Sequence, residues 1–179
     1  MLGYDAPRWH ALLNDLPAAL LLLAVLFDLG SAIWKRESLK WAGIWTLWAG
    51  VIGGWAAVIT GNLAEETIDH GEAIHQIMER HEQMALITMG VFTVILGWKM
   101  LRRFAMPVQE EAITRFLGIV GAAGLLWVGT LGGRMVFEHA AGISNERIRA
   151  ELIDRGALSD TADTAGGHPH APGTPPHEH

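Results

Sequence analysis

The chain has 179 residues, 50% of them hydrophobic and 18% charged, with a net charge of -6 and no cysteine. An acidic balance with no basic stripe excludes an ordinary nucleic-acid binder. The absence of cysteine excludes disulfides, thiolate-held iron–sulfur clusters and Cys-type zinc sites, so any metal must be held by His, carboxylate or Met.

Mean hydropathy is +0.24 because the apolar residues fall in four long runs with the charges between them. That is the pattern of an all-α, multispanning membrane protein, here a four-helix bundle. The runs do not alternate as barrel strands would, and only helices or closed barrels satisfy every backbone group in lipid.

The first run covers about residues 11–34, long enough to cross the hydrocarbon as helix. Its stretch LPAALLLLAVLF could serve as a signal-peptide core, but Asp5 and Arg8 make a weak positive flank. Lys35 and Arg36 follow as at a stop-transfer boundary, so the span is expected to be retained. The second run covers about residues 41–63, the third about 81–101 and the fourth about 116–137.

Orientation follows from Lys and Arg. The first connection carries Lys35, Arg36 and Lys40, and the third carries Lys99, Arg102, Arg103 and Arg115. The middle one carries only Arg80. The first and third connections are therefore expected in the cytoplasm, with the middle connection and both termini facing the periplasm or cell exterior. Trp34, Trp41 and Trp98 would form the inner aromatic belt, with Trp9 opposite. Gly50, Gly53 and Gly54 mark a face of the second helix, and Gly118, Gly121, Gly124, Gly129, Gly132 and Gly133 recur along the fourth. Such residues let backbones approach in lipid, within one bundle or between copies of an oligomer, or leave room for a flat cofactor.

On this topology His10, His70, His75, His81 and His139 all come to the outer membrane face. Histidine at an interface is cheap, because its polar edge reaches water. Converging helix ends can also supply several ligands at once. A new helix beginning near Glu72 would put Glu72, His75, Glu79 and Glu82 on one face. Glu72 and His75 have the Glu-x-x-His spacing of helical di-iron sites, although one copy is present where two are needed, and a solvated charged face fits better. His81 and His139 stand at the outer ends of sequential helices, where two imidazoles can clasp an iron porphyrin. Arg80 and Arg134 lie close enough in sequence to meet its propionates, with His10 as a third axial candidate. The rival is a divalent transition-metal site for zinc, copper or iron, drawn from His10, Asp15, His70, Glu72, His75, His81 and His139.

After residue 142 a short amphipathic helix is expected, capped by Ser144, ended by Gly156 and carrying Ile148 and Leu152. The Pro-, Gly- and His-rich remainder reads as disordered, and His168, His170, His177 and His179 could capture metal. The expected organisation is a bundle over 1–143, a surface helix over 144–158 and a tail over 159–179.

The opening WHALLNDLPAALLLLAVLFDL resembles the start of a bacterial four-helix membrane family, domain of unknown function 2231. His10, Pro17 and Phe27-Asp28 match its pattern, while Asp15 replaces its second histidine. Thr60-Gly61 resembles the family's Ala-Thr-Gly segment, and His81 matches a histidine that opens its third span. GGRMVFEHAAGI resembles its closing motif at Gly132, Gly133, Val136, His139 and Gly142, so the resemblance covers about residues 8–143. It implies a four-helix membrane bundle and singles out His10, His81 and His139. Fusion of some members to Rieske-type domains implies redox company. Asp at position 15 suits a hard metal and not an axial haem position.

These features support a small membrane redox protein with a b-type haem near the outer face, exchanging electrons with quinol or a membrane partner. A metal-handling membrane protein and a structural subunit of a larger complex are the alternatives. No nucleophile motif, phosphate loop or nucleotide fingerprint is present.

Overall fold

The computed structural model describes residues 6–66 and 72–158. Every described element is a helix: α1 Ala6–Trp34, α2 Glu37–Glu65, α3 Glu72–Leu101, α4 Val108–His139 and α5 Asn145–Asp154. The first four are long and apolar enough to cross a membrane. They outrun the apolar runs that announced them. α4 begins at Val108, because Glu110 and Glu111 suit the positive end of its dipole and a helix need not stop where hydrocarbon ends. α3 begins at Glu72, as its spacing predicts. His70 and the tail over 159–179 lie outside the described residues.

α1 to α4 lie in one compact unit over residues 1–142. α5 falls in a second unit, with Ser144 at its N-cap but no side-chain cap bond, and Gly156 (φ 71°) just past its end. In the first unit α1 neighbours α2, α2 neighbours α3, α3 neighbours α4 and α4 neighbours α1. The core is Leu21 and Ala24 of α1, Leu47 and Val51 of α2, and Met89, Phe92, Ile95 and Leu96 of α3. α4 adds Leu117 and Leu125 against it. Large apolar side chains such as Leu26, Ile33, Ile52, Ile59 and Phe116 point outward, as lipid-facing residues do.

Glycine notches set how closely these helices meet. A Cβ on Gly50 would stand 2.7 Å from Leu21 Cγ, and one on Gly121 would stand 2.9 Å from the Phe92 ring. Pro17 faces Gly53, and Thr88 faces Gly124. Each member of the second set follows its counterpart by 71 positions: Leu21 and Phe92, Gly50 and Gly121, Pro17 and Thr88, Gly53 and Gly124. The α1–α2 and α3–α4 hairpins are thus two repeats in one register, related by an approximate twofold rotation about the bundle axis, as in other membrane proteins built from parallel repeats.

The notches make a stability prediction. Gly50→Ala forces its methyl onto Leu21, whose backbone N would lie only 3.2 Å away, and should cost about 1–3 kcal/mol. Gly90→Ala meets nothing within 4 Å and should be neutral or stabilising by up to about 1 kcal/mol. Thermal unfolding of the two variants in detergent, side by side, checks this.

Candidate functional site

One end of the bundle gathers the starts of α1 and α3 and the ends of α2 and α4. His10 sits in the second turn of α1, half-buried, with its Nδ1 2.8 Å from the Ala57 carbonyl of α2. Its ring lies over Gly61, where a Cβ would come within 3.0 Å of Cε1. His81 of α3 does the same against α4. Its Nδ1 is 3.1 Å from the Val128 carbonyl, and a Cβ on Gly132 would come within 3.3 Å of its Cε1. His10 and His81, Ala57 and Val128, Gly61 and Gly132 are again 71 positions apart, so the two imidazoles are one feature of the repeat made twice.

A carbonyl oxygen only accepts, so Nδ1 of each ring carries a proton and donates it. That leaves Nε2 of each ring as the nitrogen available to a ligand, the arrangement in which histidine binds metals with its other nitrogen oriented by a carbonyl. The ring centres are 6.5 Å apart and the planes 85° from parallel. A metal between two trans imidazoles, with metal–nitrogen bonds of about 2.0–2.1 Å, spans about 6.3 Å from ring centre to ring centre. The observed separation is of that order, with the two rings edge to face.

The other sequence candidates are placed differently. His139 is the last residue of α4, seven positions beyond Gly132 and so about 10 Å further along the helix than the His81 ring. Among the described residues it makes no ring contact or hydrogen bond with His10 or His81. The structure therefore brings His81 together with His10 and not with His139. Arg134 bonds Glu138 on the exposed face of α4 (3.1 Å), and Arg80 is exposed. Asp15 is exposed on α1. Along α3, His75 is exposed, Glu72 accepts from Gln76 at 3.3 Å and Glu79 accepts from Gln83 at 3.1 Å, a hydrogen-bonded solvated face. Among the described residues, no three His, Asp or Glu side chains converge at metal-binding distance.

A second polar cluster lies at the opposite end. Asp28 of α1 accepts from Lys99 Nζ of α3 at 3.2 Å and stands 3.8 Å from Arg115 Nε of α4. Arg115 also pairs with Glu111 at 2.8 Å, and Lys40 reaches Glu111 at 3.7 Å. Asp28 and Lys99 are repeat-equivalent, as are Lys40 and Glu111. Equivalent residues that touch must lie beside the twofold axis. The axis thus runs from the histidine pair, past the fully buried Leu21 and Phe92, to this ion cluster.

Reading the runs one by one overlooks both the repeat and the cluster. The signal is present nonetheless: in each half a histidine is followed by glycines at identical spacing, His10 with Gly50, Gly53 and Gly61, then His81 with Gly121, Gly124 and Gly132. Asp28, a carboxylate inside an apolar run, was the other pointer.

A family model described as a predicted membrane protein, DUF2231, matches residues 8–145. No curated protein and no solved structure matches the chain.

Proposed function

The chain belongs to the DUF2231 family of predicted membrane proteins, and we propose that it is a small multi-pass redox protein holding one b-type haem between His10 and His81. The observation that carries this reading is the close pair of imidazoles, ring centres 6.5 Å apart, each with Nδ1 committed to a carbonyl. Porphyrin supplies iron with four nitrogens and needs only two axial side chains. A structural zinc site wants four protein ligands, and only two converge here among the described residues. The open surroundings of Gly129 and Gly133 leave α4 free of close neighbours on that flank.

In this reading the protein sets the chemistry by holding both rings in one tautomer and by surrounding them with apolar helix. Bound haem would supply one-electron transfer, between quinol or a membrane partner and a carrier at that face. Arg80 and Arg134 would meet propionates, Arg134 by leaving Glu138, and His139 would stand clear of the iron. The face is the periplasmic one, with both termini outside, if Lys and Arg set the orientation. Leu21, Phe92 and the ion cluster occupy the rest of the axis, so electrons would enter and leave on one side of the membrane.

A bare ion such as copper is the second reading, favoured by the same spacing, since two trans imidazoles span one linearly coordinated metal equally well. Absorption spectra of the purified protein, oxidised and reduced, with metal analysis, separate the two. One low-spin haem per chain supports the lead. A colourless protein carrying stoichiometric copper or zinc supports the second. A colourless, metal-free protein from haem-replete cells overturns both and leaves the structural-subunit role.

A further inference from the structure

The turn between α3 and α4 is built unusually. Arg103 (φ 51°) and Phe104 (φ 61°) are consecutive non-glycine residues in the left-handed region. L-residues avoid that region, and where it persists the surroundings hold it, often at a binding surface. Here Arg103 N–H donates to the Met100 carbonyl and Phe104 N–H to that of Lys99, both at 2.8 Å. The result sets the Phe104 ring on Trp41, with centres 6.0 Å apart. Trp45, Trp48, Met100, Arg103 and Phe104 then frame an open groove of about 510 Å³ on the α2–α3 side.

The charges around this turn are not equivalent. Lys99 is paired with Asp28, Arg102 with Glu110, and Arg115 with Glu111. Arg103, alone of these four cations, has no carboxylate partner among the described residues, and it stands at the groove. The groove lies where the third apolar span ends, at the level where lipid headgroups begin. Its walls are aromatic and apolar, and indoles offer an N–H to headgroup oxygens while their rings lie against acyl chains.

We propose that this groove binds an anionic phospholipid, its phosphate on Arg103 and an acyl chain along Trp45, Trp48 and Met100. The two left-handed residues give the site its shape: Phe104 closes one wall on Trp41, and Arg103 is presented at the mouth. The inference rests on the chain spanning a bilayer and is independent of what His10 and His81 hold.

The test is native mass spectrometry of the full chain released from vesicles of phosphatidylglycerol mixed equally with phosphatidylcholine. Wild type should retain phosphatidylglycerol in preference, by about fivefold, the gain expected of one cation at an anionic surface. Arg103→Gln should lose that preference and Arg103→Lys should keep part of it. Arg36→Gln, an exposed cation of the other turn, should leave it unchanged. Equal retention of the two lipids by wild type overturns the proposal, whatever the variants do. So does a preference that survives Arg103→Gln, or one that falls equally in Arg36→Gln, which would mean diffuse attraction to the basic face.

Discussion

His81→Ala protein, purified from haem-replete cells, is expected to lose the low-spin spectrum and to hold haem at least about 100-fold more weakly, since loss of a ligand costs more than loss of an outer-shell partner. One axial nitrogen would remain, on His10, and any residual haem would be five-coordinate and high-spin. The repeat makes the expectation symmetric. His10 and His81 each donate Nδ1–H to a carbonyl of the next helix and rest on a glycine, so His10→Ala should behave as His81→Ala does. His139→Ala should leave the spectrum as it is, because that residue stands about two turns further along α4. Titration of haem into the three variants, followed in the Soret region, decides between pairings. A spectrum lost in His139→Ala and kept in His10→Ala would reinstate the clasp between His81 and His139 and remove His10 from the site.

Asp28→Asn is expected to carry the largest stability cost of any single change at the end of the bundle opposite the histidines. The carboxylate faces Lys99 Nζ at 3.2 Å and Arg115 Nε at 3.8 Å, with the side chains of all three residues 12–19% exposed. Taking one partner from a fully buried ion pair costs about 3–5 kcal/mol, because the remaining charge is stranded away from water. Partial exposure lowers this to about 2–3 kcal/mol, since Lys99 can extend its stem toward the interface. Arg115 keeps Glu111, so Lys99 is the cation left bare. Adding Lys99→Gln to Asp28→Asn should therefore cost less than the sum of the two single changes. Unfolding of the four proteins in mixed micelles gives the cycle. An Asp28→Asn variant that melts with wild type would reduce the cluster to an ornament of the interface.

The ion cluster and the histidine pair divide the labour of holding the hairpins together. Between them the hairpins meet through apolar contacts, Met89 of α3 against Gly54 of α2 and Val25 of α1 against Gly118 of α4. Apolar packing has no strong preference for rotation of one helix pair against the other in lipid, where there is little hydrophobic drive between helices. Polar contacts at both ends, together with Trp55 Nε1 donating to Thr93 Oγ1 at 3.0 Å on the α2–α3 flank, select one rotation.

Depth along each helix was legible in the residues. Apolar run length placed four crossings, and an even count of crossings returned His10 and His81 to one end. Hydropathy varies steeply at the edge of hydrocarbon, so it locates a residue along the axis to within a turn or two. It blurs beyond that edge, which is why α4 starts at Val108 and carries His139 past the level of His81. Azimuth was not legible. Each residue turns the helix by about 100°, and nothing in hydropathy reports which way a polar residue at the interface points.

Composition and pattern by themselves thus determined the class of this protein, its crossings and the end at which its imidazoles gather. Only the packed bundle decided which of them meet. Glycine notches bring α2 onto α1 and α4 onto α3, and the twofold relation between the hairpins then turns His10 and His81 toward a common axis. That choice is made by close contact between side chains far apart in the chain. Single runs read in isolation carry no trace of it, although the matching glycine spacings of the two halves do.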